Sequence, residues 1–345
     1  MNATVNTPLL ELNDVKKYYP VKRNLLGRAT EYVHAVDGVS LQVFKGETLS
    51  LVGESGCGKS TIGRAILRLT DITAGQVILK GKRIDDMSST LFWPLRREMQ
   101  MVFQDPFSSL DPRMTVFDIL AEPIRNFGLA ASAEDLGAQV HKLLVQVGLR
   151  PEASGRRPHE FSGGQRQRIG IARALATRPE LIVCDEAVSA LDVSVKSQIV
   201  NLLCDLQREL GLSLLFISHD LAIVEYVTHR VAVMYLGKIV ELGEKRDIFG
   251  SPRHPYTQAL LSAVPVPDPD APRKRIVLQG DIPSPINPPT GCRFHTRCPQ
   301  AADICRQVEP AFAPARDGHW VACHFARELP ATITSIPSEP LHETA

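Results

Sequence analysis

No charge of one sign dominates this sequence. Its 39 Lys and Arg stand against 38 Asp and Glu, a formal net charge of +1, so no global field draws the chain to nucleic acid or anionic lipid. Any such partner must be engaged locally. No apolar run approaches the roughly 18 residues needed to span a bilayer. The opening stretch, MNATVNTPLLELNDVKKYYP, has no basic end leading into an apolar segment, which excludes the form of a secretory signal. The chain is therefore expected in the cytosol. Internal repeats, a long coiled-coil pattern and concentrated basic patches are also missing. Cysteine is sparse, seven residues in 345, and in a reducing compartment a disulfide framework is the wrong expectation for it.

What is present is a graded pattern along the chain. A length of 345 residues accommodates one main domain plus an appendage. The stretches LLELNDV, HAVDGVSLQVF and ETLSLVG within 9–52 read as short strands between Gly and Asp punctuation. STIGRAILRL, 60–69, has helical spacing, and GQVILKG returns to strand. Residues 115–150 are helical in pattern, as an insertion with amphipathic stretches TVFDILAEPI and GAQVHKLLVQVGL. Two short, fully apolar runs follow, LIVCD (181–185) and LLFIS (214–218), separated by the helical KSQIVNLLCDLQREL. Strand, crossover helix and buried strand is the parallel α/β signature. Ten of the 25 prolines fall in 251–290, marking a linker around the helical HPYTQALLSAV. Residues 1–8 and the polar 329–345 are expected to be disordered.

GESGCGKST, 53–61, matches G-x-x-x-x-G-K-[ST] and lies between an apolar strand and a helix, as the mechanism demands. Gly53, Gly56 and Gly58, with Glu54, Ser55 and Cys57 between them, let backbone N–H groups wrap phosphates at the helix N-terminus. Lys59 would reach the β- and γ-phosphates. Ser60, next to Thr61, would hold Mg²⁺. Asp185 ends the LIVCD strand and would hold the same ion, while Glu186 is placed to polarise an attacking water. FSGGQRQRIGIARAL, 161–175, opens a helix with Ser162, Gly163, Gly164 and Gln165. That is a second ready-made phosphate site in one chain.

This constellation resembles the ATP-binding cassette (ABC) family, in whose dimers the signature motif of one subunit closes over ATP held by the P-loop of the other. The resemblance implies an α/β P-loop fold: a RecA-like core with an antiparallel β subdomain and a helical subdomain near 105–175, spanning 9–250, followed by a small cysteine-containing lobe over 251–328. It implies roles for Gln104 in MVFQDP (Mg²⁺ contact and sensing of the membrane partner), Asp192 in SALD (dimer contact) and His219 in FISHD (γ-phosphate switch). Tyr19 in KKYYP is similar to the aromatic that stacks on adenine, with Tyr18 an alternative. Phe161 stands where Leu is usual, and Ala187 where Pro is usual. Neither change removes a charge or hydrogen-bonding group from the chemistry, so ATP hydrolysis is expected.

PRHPYTQALLSAVP and GDIPSPINPPTGCRFHTRCP narrow the resemblance to the dipeptide and oligopeptide import ATPases, most of all the F-type subunits of dipeptide permeases. It covers roughly 9–327. It implies a heterodimer with a paralogous ATPase, docked beneath two membrane permeases fed by an extracytoplasmic solute-binding protein, on the cytoplasmic face of the inner membrane. Nickel complexes, glutathione and murein peptides are the alternative solutes of close relatives. A soluble ABC ATPase of DNA repair or ribosome recycling is the rival of another class. Twin cassettes, a long coiled coil or strong basic patches would favour it, and none is seen.

The remaining feature is the tail. Cys292, Cys298, Cys305 and Cys323 have gaps of five, six and seventeen residues, unlike the short paired gaps of structural zinc sites. Four thiolates are the usual ligands of an iron–sulfur cluster, and the resemblance implies a four-iron, four-sulfur cluster there, with His295, His319 and His324 as nearby substitutes. Cys184 and Cys204 read as core.

Overall fold

The computed structural model describes residues 7–23, 29–264, 275–316 and 318–326. The expected disordered tail, 329–345, and residues 1–6 lie outside these.

Among the described residues twelve strands form two sheets. In chain order they are β1 (Leu10–Arg23), β2 (Ala29–Val43), β3 (Thr48–Val52), β4 (Ala74–Leu79), β5 (Lys82–Arg83), β6 (Met99–Val102), β7 (Leu181–Asp185), β8 (Ser213–Ile217), β9 (Arg230–Tyr235), β10 (Lys238–Glu244), β11 (Ala313–Arg316) and β12 (His319–Val321). The smaller sheet runs β2-β1-β4-β5 and is antiparallel. The larger runs β11-β12-β10-β9-β3-β8-β7-β6, with β9, β3, β8, β7 and β6 parallel.

The parallel strands β3, β7 and β8 are covered on both faces. Every residue of β3, β7 and β8 is buried, and alternate side chains enter two different cores. Ile182, Cys184, Leu214 and Phe216 face one, with the helices Val193–Leu210 and Gly163–Leu175. Leu181, Val183, Leu215 and Ile217 face the other, with the helix Lys59–Ile66 and the antiparallel sheet. This accounts for the unbroken apolar runs in the sequence.

The helical insertion is present as Val116–Asn126 and Ala133–Gln146. Thr115 and Ser132 cap these helices, each accepting a backbone N–H three residues on at 3.2 Å.

Two features differ from expectation. The strands expected as short pieces of 9–43 run on to Arg23 and Val43 as a long, bulged ribbon, its polar positions tolerated because one face is open. The cysteine segment, expected as a small appended lobe, continues the main sheet. Its hairpin β11–β12 pairs Val321 with Glu241 and Trp320 with Leu242 of β10. Strands of three and four residues carry too little alternation to be read from sequence.

Candidate active site

The carboxyl ends of β3, β6, β7 and β8 meet at one edge of the sheet, where open α/β folds bind ligands. β3 ends in the phosphate loop. Gly53 has φ +149° and Gly58 φ +108°; a Cβ would fall 2.1 Å from the Met234 carbonyl oxygen at Gly53 and 2.0 Å from that of Ala35 at Gly58. Only glycine allows the loop to lie so close to neighbouring backbone. Lys59 is 5% exposed. Its Nζ folds back over the loop, donating to the carbonyls of Gly53 at 2.8 Å and Glu54 at 2.9 Å. Ser55 and Gly56 form the exposed crest, and Thr61 lies half-buried on the helix behind. Cys57 is buried beside Lys59, and burial pushes its thiol up.

Ser60 Oγ donates to Asp185 Oδ1 at 2.6 Å. Asp185 is buried, and that burial raises its carboxyl above the ordinary range despite this hydrogen bond. Glu186 turns the chain at φ +48°, a left-handed conformation that costs a non-glycine residue free energy and is concentrated at functional sites. Its N–H donates to the Ile217 carbonyl at 3.0 Å, and its own carbonyl accepts from the Ser189 N–H at 3.0 Å. Thus held, the carboxylate meets Gln104 Nε2 at 3.0 Å on Oε2 and His219 Nδ1 at 3.3 Å on Oε1. Gln104 follows β6 and His219 follows β8, so three adjacent strands deliver three expected residues to one point.

The two tyrosines separate clearly. The Tyr18 hydroxyl donates to Asp37 and its ring packs on His34, centroids 4.3 Å apart. Tyr19 is 38% exposed, with Lys17 Nζ 4.8 Å from its ring centroid. It is the more exposed of the two.

Ser162 caps the helix Gly163–Leu175. Its Oγ accepts from the Gln165 N–H at 3.3 Å and Gln165 Oε1 accepts from the Ser162 N–H at 3.1 Å, a reciprocal capping box. Ser162 and Gln165 are both exposed. Gly164 packs against the next helix, where a Cβ would lie 2.4 Å from Val195 Cγ1. Asp192 is exposed at the start of Val193–Leu210. Phe161 and Ala187, the two departures, are both buried and pack as core.

Residues 36–189 match the family described as ABC transporter, and 240–305 match the oligopeptide/dipeptide transporter C-terminal region. The oligopeptide transport ATP-binding protein AppF of Bacillus subtilis (strain 168) is 54% identical over 328 residues, covering 94% of this chain and 99% of that protein. The chain belongs to the ATP-binding proteins of oligopeptide ABC transporters. OppF of Salmonella typhimurium is 51% identical over 316 residues, 90% of this chain and 95% of that one. Among solved structures, the ABC protein MJ0796, in a dimeric post-hydrolysis state bound to ADP and Pi, superposes with a TM-score of 0.61 at 28% identity. It covers 69% of this chain and 99% of its own. CbiO1 from Clostridium perfringens, part of the ABC transporter complex cbiONQ, has a TM-score of 0.60 at 26% identity, covering 70% of this chain and 90% of its own. Among the described residues of this ABC ATPase, no helix is long and apolar enough to cross a membrane.

The four tail cysteines of this ABC protein are free thiols that line one small cavity, together with His295 and His324. Burial pushes Cys292 and Cys323 up to about 11 and raises Cys298. Among the described residues no three His, Cys, Asp or Glu stand in an arrangement that holds a metal ion, so a ready-made ligand cage is not present. His319 is not a substitute ligand. It is fully buried elsewhere, with Nε2 2.7 Å from Glu241 Oε1.

Sequence reasoning missed the residues that join this tail to the phosphate loop. Tyr256 Oη accepts the Glu54 N–H at 2.9 Å, and Arg297 forks onto the Glu54 carboxylate at 2.8 and 3.1 Å. Both sit inside stretches that carry the family resemblance, but nothing local marks either as a partner of residue 54.

Proposed function

We propose that this chain hydrolyses ATP to drive peptide import, as a peripheral subunit on the cytoplasmic face of the membrane. The reading rests above all on the convergence of Ser60, Asp185, Glu186, Gln104 and His219 beside the phosphate loop, in a chain whose relatives over nearly its full length are oligopeptide transport proteins. Those relatives set no peptide length, so the assignment is to peptides rather than to dipeptides alone.

The backbone N–H groups of 53–58 and the start of the helix Lys59–Ile66 take the phosphates, with Lys59 swinging from its two carbonyls onto them. Tyr19, the more exposed tyrosine, offers its ring to adenine. Ser60, Gln104 and Asp185 would hold Mg²⁺, which neutralises charge on the phosphates when bound. Glu186 accepts the proton of the attacking water, and His219 and Gln104 keep its carboxylate oriented. The exposed capping-box terminus at Ser162 to Gln165, with Asp192 at the start of the helix that packs against Gly164, closes over ATP held by a paralogous partner subunit. A groove lined by Trp93, Met101, Phe103 and Phe127, with Arg96, Glu122 and Arg173 among its polar residues, takes in the residue that precedes Gln104. Its exposed aromatics suit a permease helix, which gives Gln104 its sensing role.

A second reading concerns the cysteine cavity. Four thiols line one small cavity, and burial disfavours the charged form of Cys292, Cys298 and Cys323. A bound cation would hold them as thiolates, and the donor set suits an iron–sulfur cluster that supplies structural closure or redox sensitivity. Cys292, Cys298, Cys305 and Cys323 would be its ligands.

Deleting the chain from its host and measuring uptake of labelled peptides tests the main reading. Uptake should fall and return with the wild-type chain, and the chain should co-purify with two membrane permeases. Unchanged peptide uptake with loss of nickel or glutathione uptake would reassign the solute. Fractionation with ribosomes or nucleic acid would overturn the transport role.

A further inference from the structure

The second residue of the phosphate loop is a glutamate, which places a carboxylate at a site built for anions. A triphosphate entering the loop meets backbone donors and a helix N-terminus, and an unpaired Glu54 carboxylate there would repel it. The structure shows how that charge is handled. Arg297 Nη1 lies 2.8 Å from Glu54 Oε2 and Nη2 3.1 Å from Oε1, a parallel two-bond fork. The side chains are 9% and 24% exposed, so solvent screens the pair little.

The fork is itself braced. The Arg297 N–H donates to the Phe294 carbonyl at 3.0 Å, and Arg297 Cζ lies 6.0 Å from the Tyr235 ring centroid. Tyr235, Tyr256 and Phe294 form a closed aromatic group, with centroids 4.7, 5.2 and 5.4 Å apart. Tyr256 takes the Glu54 N–H from that group. Glu54 is therefore gripped at backbone and side chain by Tyr256 and Arg297, both more than 200 positions away in the C-terminal segment.

We propose that Arg297, assisted by Tyr256, is a positioning residue for the phosphate loop: it neutralises and turns aside the Glu54 carboxylate, so that the C-terminal segment sets the affinity of the site for ATP. Arg297 immediately precedes Cys298, so a displacement of that turn is felt at Glu54. The inference rests on 53–61 being the phosphate site.

The test uses the purified full-length chain and a double-mutant cycle, with Mg²⁺-bound AMP-PNP binding read by calorimetry. Arg297→Gln should weaken binding about tenfold, less than the full cost of truncating one partner of a buried charge pair because Glu54 is partly exposed. Arg297→Lys, which keeps the charge but not the fork, should lose a smaller factor. In the Glu54→Gln background both losses should largely disappear, because the charge to be neutralised is gone. With the paralogous subunit present, Arg297→Gln should raise KM for ATP more than it lowers kcat. Equal affinities for wild type and Arg297→Lys or Arg297→Gln overturn the inference. So do losses that persist undiminished with Glu54→Gln, since they would mark mere packing. If Arg297→Gln does not fold, the wild-type, Arg297→Lys, Glu54→Gln and Arg297→Lys/Glu54→Gln proteins complete the same cycle. Failure of the wild type itself to bind nucleotide would instead remove the phosphate-site reading.

Discussion

Gln104 Nε2 donates to Glu186 Oε2 at 3.0 Å, joining residues 82 positions apart at the ends of two adjacent strands. The bond leaves the Glu186 carboxylate paired on one oxygen by an amide and on the other by His219 Nδ1. A base so placed is oriented without a fixed cationic partner. Glu186→Gln is expected to retain ATP binding and to lower turnover about 10² to 10⁴-fold, the range for positioned proton transfer. Phosphate release and nucleotide binding measured on one preparation check this. Wild-type turnover would remove Glu186 from the role.

The loop glycines make a graded prediction. Gly56 has φ +79° with open space where a Cβ would go, so Gly56→Ala carries only the left-handed penalty, about 1–2 kcal/mol. Gly58 adds a contact of 2.0 Å with the Ala35 carbonyl oxygen, which backbone cannot easily yield. Gly58→Ala should therefore be clearly the more destabilised in denaturant melts. Equal losses would mean that β2 gives way freely behind the loop.

These two cases show what was legible in the sequence. A phosphate loop announces itself because its glycines, Lys59 and Ser60 are consecutive, and β7 and β8 because burial on both faces makes LIVCD and LLFIS continuously apolar. The apposition of Gln104, Glu186 and His219 could be expected only through family resemblance, since the sheet order that joins them is nonlocal. The Glu54–Arg297 fork left no local trace at all. The tail hairpin was hidden for another reason: β11 and β12 are too short to show a period, and their pairing with β10 is decided by Glu241 and His319 meeting in the interior.

The cysteine cavity is checked by composition. Protein purified without oxygen should carry about four irons and four acid-labile sulfides per chain, the content of a four-cysteine cluster, and Cys298→Ser should lose them. Because burial otherwise raises Cys292, Cys298 and Cys323 and all four thiols line one small cavity, metal removal should also lower the melting temperature. Stoichiometric zinc, or no metal in the wild type, would overturn the cluster.

The last prediction concerns pH. His254 is 1% exposed and caps the helix Pro255–Ser262, its Nδ1 accepting the Tyr256 N–H at 3.1 Å. Only the neutral ring has that acceptor. Its surroundings are the Phe294 ring, the Cys292 thiol across a shared cavity, and Glu241, which takes the His254 N–H at 3.0 Å and is already paired with His319. Burial holds His254 down at about 4, although Glu241 pulls the other way. The unfolded chain, with an ordinary imidazole near 6.5, thus binds the proton that the folded chain refuses between those values. Stability from this group is complete above about pH 6.5 and is lost as pH falls towards 4, which amounts to roughly 2 kcal/mol between about pH 8 and pH 5. Asn offers an acceptor at the same cap and does not titrate. In paired denaturant melts the drop from pH 8 to pH 5 should be smaller for His254→Asn than for wild type by about that 2 kcal/mol. Equal drops would show that His254 is protonated in the folded protein, with the helix cap broken and the charge carried by Glu241.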